Sequence, residues 1–153
     1  MAKVIEDRLV GRADALETLR RKLRVTESPR VVSIIGVRGV GKSALGDVIR
    51  ADAEQLGRQV VAIWCEQIAN ISALRSALGD LGAIGNERPA LLYLDAFEHL
   101  APLSDVFFRD ILPHIGGRTL LVLTSRTRLS AEQRALVATL HTEVRLSPLS
   151  DED

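Results

Sequence analysis

The apolar residues of this chain fall into two alternating rhythms. Largely apolar and β-branched runs recur at Val31–Ile35, Gln59–Trp64, Ala90–Leu94 (closed by Asp95) and Thr119–Thr124. Between them, apolar residues stand three and four apart: Leu16, Leu19 and Leu23; Ile71, Leu74, Leu78 and Leu81; Val106, Phe107 and Ile111. The runs read as strands covered on both faces, the spaced sets as helices with one buried face. The pattern predicts helices over Asp14–Arg24, from Ser43 to about Gln55, from Ile71, through Val106–Ile111, and from Ser130 to about Leu140. It predicts the four strands and a short fifth at Glu143–Leu146.

Local signals punctuate that alternation. Asp14 with Glu17, and Ser130 with Gln133, have capping-box spacing. Thr26–Pro29 is a breaker, Gly57 stops a helix, Asn70 can cap one, Gly82–Pro89 reads as a loop, and Pro102 suits a first helical turn. Strands alternating with helices predict an α/β fold: a three-layer α-β-α sandwich around a mostly parallel five-stranded sheet. The expected organisation is a single domain over residues 1–153, with a helical segment at 8–25 and a core at 30–147. Ligands of such sheets lie beyond the carboxyl ends of the strands.

Composition narrows this picture. With 46% hydrophobic residues in 153, the chain can bury a core and disorder is excluded. Twenty basic and twenty acidic residues give a formal net charge of zero, so bulk charge supports no direct nucleic-acid binding. One cysteine, Cys65, forms no internal disulfide framework and fits a reducing cytoplasm. No apolar stretch is long enough to cross a bilayer, so no membrane partner is expected. The basic residues are mostly arginine, which is compatible with a GC-rich bacterial genome.

The chemistry concentrates after the first strand. Gly36-Val37-Arg38-Gly39-Val40-Gly41-Lys42-Ser43 is a complete G-x-x-x-x-G-K-[ST] phosphate loop between a predicted strand and a predicted helix. Its glycines allow successive N–H groups to face one concavity, and the helix start, at Ser43 and Ala44, adds unpaired N–H groups and partial positive charge. Lys42 is expected to reach the β/γ-phosphates, and the Ser43 hydroxyl to take a Mg²⁺ position.

Two other strand ends carry candidates. Asp95 closes an apolar strand in the pattern of a Walker B aspartate, which holds Mg²⁺ together with the loop hydroxyl; alternatively it caps the turn. The next position is Ala96, so Glu98 is the nearest acid that can polarise water, and slow turnover is expected. Arg126, after Thr124-Ser125, can contact a γ-phosphate, with Arg128 as a rival. His99, His114 and His141 lack metal-ligand spacing, and Trp64 reads as core.

Together these segments resemble the NB-ARC/NACHT-type STAND ATPases, a signalling branch of the AAA-related phosphate-loop NTPases. Leu9-Val10-Gly11-Arg12 is similar to that class's motif before the loop, which implies contacts to adenine and ribose from Val10, Gly11 and Arg12. Leu91–Leu100 resembles the Walker B segment of bacterial transcriptional regulators, which usually carry Asn or Asp where this chain has Ala96. Leu120–Arg126 resembles the sensor-1 strand, which implies a γ-phosphate contact from Arg126. Val144–Leu149 is similar to the stretch leading into a helical lid. The chain ends at Asp153, where relatives continue into a lid and winged helix, so a core of a longer protein, or a minimal member, is expected.

The resemblance implies a switch that binds ATP or ADP with Mg²⁺, hydrolyses slowly, and partners with itself or with further domains. A small-molecule kinase is the alternative, but Cys65–Pro89 offers little acceptor site beyond one short helix, Arg75 and Arg88. A non-hydrolysing scaffold is disfavoured by intact Lys42 and Ser43. A DNA-remodelling ATPase of the origin-binding class is remoter still. The chain has no Asn-Lys-x-Asp guanine-reading segment, which argues against GTP.

Overall fold

The apolar runs do form strands, and all of them pair in parallel. In the computed structural model, which describes residues 13–24, 30–37, 41–137 and 141–146, they are β1 (Arg30–Ile35), β2 (Gln59–Trp64), β3 (Ala90–Asp95), β4 (Thr119–Ser125) and β5 (His141–Arg145). The sheet order is β2-β3-β4-β1-β5. The three strands in the middle are mostly apolar because helices cover both their faces, with Ser33, Thr119, Thr124 and Ser125 as buried polar exceptions.

The two faces carry separate cores. On one, α1 (Ala13–Leu23) and α2 (Lys42–Gln55) pack Leu19, Leu23, Leu45, Val48 and Ile49 against Val32, Ile34, Leu91, Tyr93, Leu120 and Val122. On the other, α3 (Ile71–Leu78) and the segment from Phe97 to Ile115 pack Leu74, Phe97, Phe107, Phe108 and Ile111 against Leu92, Leu94, Leu121 and Leu123. The three phenylalanines meet edge to face, with centroids 5.4–6.0 Å apart. Side chains alternate along β3, so Leu91, Tyr93 and Asp95 belong to the α2 side and Leu92 and Leu94 to the other.

Two arginines fasten the α2 side. Buried Arg58, just before β2, donates to Leu23 O at 2.8 Å and Ala90 O at 2.9 Å, tying the end of α1 to the start of β3. Arg20 of α1 pairs with Asp52 of α2 at 2.6 Å.

Several element boundaries differ from the sequence expectation. Asp14 lies inside the first turn of α1, not at its cap, and its carbonyl accepts from Thr18 Oγ1 at 2.9 Å. Asn70 does cap α3, accepting from Ala73 N–H at 2.8 Å, but α3 stops at Leu78. Gly79 turns the chain there at φ 70°, and Leu81 belongs to a short 3₁₀ turn, Leu81–Ala83. Pro102 follows a cis peptide bond and precedes the helical turns that begin with α4 (Ser104–Val106), so it is not in a first helical turn. The capping box at Ser130 and Gln133 forms as expected, with both bonds at 3.0–3.1 Å. The helix it opens, α5 (Ala131–Leu136), is shorter than expected, and β5 begins two residues earlier. Trp64 is 41% exposed, not core, because it ends an edge strand. Among the described residues, no helix is long and apolar enough to cross a membrane.

Candidate nucleotide site

The carboxyl ends of β3, β4 and β1 lie side by side, and each delivers polar groups to one edge. From β1 the chain passes to Gly36, whose N–H donates to Ser125 O at 3.1 Å and seats the loop against β4. Gly41, at φ 104°, takes a left-handed conformation open chiefly to glycine and turns the chain into α2. Ser43 is exposed on the first turn of α2, while Ala44 packs partly into the core. Of the other expected nucleotide contacts, Val10, Gly11, Arg12, Arg38, Gly39 and Val40 lie outside the described residues.

The Lys42 ammonium donates to Val37 O at 3.0 Å and to Gly36 O, so it rests on carbonyls of its own loop. Partial burial lowers its pKa; the Glu98 carboxylate opposes this, Arg126 adds to the lowering, and Asp95 again opposes it. Asp95, Glu98 and Arg126 are therefore all close enough to act on the Lys42 charge. The fold brings the expected catalytic residues to one place.

Asp95 is held through one oxygen. Its Oδ1 accepts from Tyr93 Oη at 3.1 Å and from Thr124 Oγ1 at 3.2 Å, and Thr124 Oγ1 in turn accepts from Ala96 N–H at 2.9 Å. Burial, and then the neighbouring Asp95 charge, push the Tyr93 phenol pKa well above its usual value, so it remains a donor. Tyr93 fits there because α2 has a glycine opposite. A Cβ on Gly46 would lie 2.6 Å from Tyr93 Cζ and 2.8 Å from Cε2. Arg50, bonded to Asp47, lies over the same ring at 5.0 Å and over Trp64 at 5.5 Å.

Sequence reasoning missed Gly46, Tyr93 and Thr124. One signal was present: Tyr93 is two residues before Asp95 in a strand, which puts both on one face.

Glu98 ties the two remaining candidates together. Its Oε1 accepts from the Arg126 backbone N–H at 2.7 Å, and its other oxygen lies 3.9 Å from His99 Nε2. The Arg126 side chain is exposed, whereas Arg128 donates to Glu143 Oε1 at 2.8 Å. That pairing turns Arg128 toward β5.

The residues present fit a hydrated Mg²⁺ with a nucleotide. Among the described residues, no group of three or more His, Cys, Asp or Glu could hold a metal without help. A half-buried carboxylate fixed through one oxygen, facing a helix whose first turn exposes a hydroxyl, suits a cation that keeps most of its waters and takes the rest of its shell from phosphates. An open cleft of about 360 Å³ separates the start of α1 (Asp14, Ala15, Thr18) from β5 and Leu146 just after it.

A sequence model of the family described as AAA ATPase domain matches residues 8–150. The chain belongs to the AAA ATPase domain family. Solved structures agree on the fold of this AAA ATPase domain. Cdc6p from Pyrobaculum aerophilum superposes with TM-score 0.67 at 17% identity, covering 92% of this chain and 46% of that one. Thermotoga maritima RuvB T158V gives TM-score 0.51 at 19% identity, covering 93% and 44%. A DNA replication initiation factor gives 0.54 at 14% identity, covering 90% and 46%. This AAA ATPase domain thus spans just under half the length of each. No curated protein sequence matches the chain with significant similarity.

Proposed function

We propose that this AAA ATPase domain is an ATP/ADP-binding switch of the STAND type, with slow Mg²⁺-dependent hydrolysis and further domains or copies of itself as partners. The observation that carries the reading is the turn after Asp95. The position where many relatives place a second acid is Ala96, and the nearest carboxylate, Glu98, is hydrogen-bonded to the backbone of Arg126. An acid held this way links the Asp95 turn to the arginine that would sense the γ-phosphate. It is poorly released for activating water.

In this reading Ser43 and Asp95 hold Mg²⁺, which neutralises phosphate charge when bound. Gly36, Val37, Gly41, Lys42, Ser43 and Ala44 cradle the phosphates, together with Arg38, Gly39 and Val40. Lys42 leaves the Gly36 and Val37 carbonyls for phosphate oxygens. Val10, Gly11 and Arg12, just before α1 in sequence, supply the contacts to adenine and ribose. Arg126 responds to the γ-phosphate, and Glu98 transmits that response to the Asp95 turn, a local charge event biasing a two-state arrangement.

The test is nucleotide content and turnover of the full-length protein. Mass spectrometry of the native protein should find bound ADP or ATP, and steady-state hydrolysis should stay below about 1 s⁻¹, the low end of ordinary enzyme rates. Lys42→Ala should abolish the stabilisation against unfolding that ADP gives, about 2.7 kcal/mol at a hundredfold excess over Kd. Faster turnover, or ADP stabilisation that survives Lys42→Ala, would sink the switch reading. Phosphate transfer from ATP to a small metabolite would favour a kinase instead.

A further inference from the structure

The chain's single tyrosine stands in the strand that delivers Asp95, with its ring in a notch of α2. Burial of a tyrosine hydroxyl needs a partner, and here the partner is the carboxylate itself. An aliphatic residue would fill this apolar strand without the polar atom, and Leu91, one step back on the same face, does so. The notch at Gly46 is shaped to the phenol: any side chain on that residue would meet the Tyr93 ring end.

We propose that Tyr93 is a positioning residue for the divalent cation: with Thr124 it fixes Asp95 through Oδ1, so that the carboxylate meets the hydrated ion through its other oxygen. The proposal rests on the reading of Asp95 as the metal-holding acid. A carboxylate free to rotate would lose entropy on each binding event and could turn Oδ1 toward the ion. Two donors on Oδ1 remove that freedom in advance, and both donate from rigid elements. Thr124 is fixed in β4 by accepting from Ala96 N–H, and Tyr93 is fixed by Gly46 and by Arg50 over its ring. Neither hydroxyl needs to touch nucleotide. Their effect on binding should therefore run wholly through the cation.

The experiment measures two affinities of the full-length protein: ADP without divalent cation, in EDTA, and Mn²⁺ for the protein–ADP complex, by loss of the free-ion electron paramagnetic resonance signal. Trp64, the only tryptophan and the register partner of Asp95, gives an independent fluorescence readout of the same titration. Tyr93→Phe keeps the ring in its notch and removes only the donor. It should raise the Mn²⁺ midpoint about threefold to tenfold, the size of one ordinary net hydrogen bond, while cation-free ADP affinity changes less than twofold. Thr124→Val should act in the same direction, and Thr124→Ser, which keeps the donor, should restore the midpoint. Asp95→Ala separates the two readings. If Asp95→Ala weakens Mn²⁺ and Tyr93→Phe does not, the positioning role is wrong and the metal-holding acid stands. If Asp95→Ala leaves Mn²⁺ unchanged, the metal-holding reading fails and takes the positioning role with it. Equal losses of cation-free and Mn²⁺-linked ADP affinity in Tyr93→Phe would show a merely structural tyrosine and overturn the proposal.

Discussion

Gly46→Ala adds one methyl to the middle of α2, and the structure predicts a loss of stability where helix propensity alone predicts a gain. The added Cβ would stand 2.6 Å from Tyr93 Cζ and 2.8 Å from Cε2. The Tyr93 ring cannot swing clear, because it is 1% exposed within the core between α2 and the sheet and has Arg50 over its face. Overpacking a dense core costs about 1–3 kcal/mol. Replacing an interior helix glycine with alanine returns about 0.8–1 kcal/mol. The difference is a net destabilisation of about 0–2 kcal/mol, centred near 1. For a chain this long that lowers the melting temperature by about 2–4 °C. The decisive measurement is a double-mutant cycle by urea unfolding, with Tyr93→Leu as the partner. Once the ring end is gone, Gly46→Ala should reverse sign and stabilise by up to about 1 kcal/mol. If Gly46→Ala stabilises the wild-type and Tyr93→Leu proteins equally, the ring does not occupy the notch and the argument fails.

Two further outcomes follow from neighbouring residues. Ala96 has φ 54° and ψ 54°, a left-handed conformation that costs alanine about 1 kcal/mol and that asparagine tolerates. Ala96→Asn should therefore raise the unfolding free energy in urea by about 0.5–1 kcal/mol, and a lowered midpoint would contradict the strained turn. His141 Nε2 lies 2.6 Å from the buried Ser33 hydroxyl, and burial holds its pKa below 6.5, opposed by Glu143 and reinforced by Arg134 and Arg128. A depressed histidine binds its proton later in the folded state than in the unfolded one. Its stabilisation is thus intact above about pH 6.5 and declines as the pH falls below that value toward the folded pKa. Urea midpoints between pH 7.5 and 5.5 should fall more steeply for the wild type than for His141→Gln.

The parts of this fold that were legible in the sequence are those with continuous physical signals. Buried parallel strands must be apolar on both faces, so Val31–Ile35, Ala90–Asp95 and Thr119–Thr124 stood out from the helices around them. Asp95 stood out because it is a polar residue ending an apolar strand, which the structure places at the end of β3. Helix ends were less so. Leu81 continues the spacing of Ile71, Leu74 and Leu78, yet Gly79 turns the chain first, and periodicity does not register a single backbone angle. Pro102 satisfies the preference for a first turn but sits in the turn before it. Trp64 looked like core because tryptophan usually is. Its place at the end of an edge strand depends on sheet order, which local pattern does not carry. Gly46 was invisible for a related reason: a glycine's role inside a helix is set by the residue facing it, here 47 positions away in sequence.

The alternation of side chains along β3 makes the site a matter of counting. Leu91, Tyr93 and Asp95 face α2 because they share parity, and the acid meets the phosphate-loop helix only for that reason. Exchanging one aliphatic residue of this strand for another would leave Asp95 where it is. Inserting or deleting a single residue between Leu91 and Asp95 would turn the acid to the opposite layer, among Phe97 and Leu100, even if every retained residue stayed the same. The aliphatic positions of the strand can therefore be exchanged for one another, but its length cannot change.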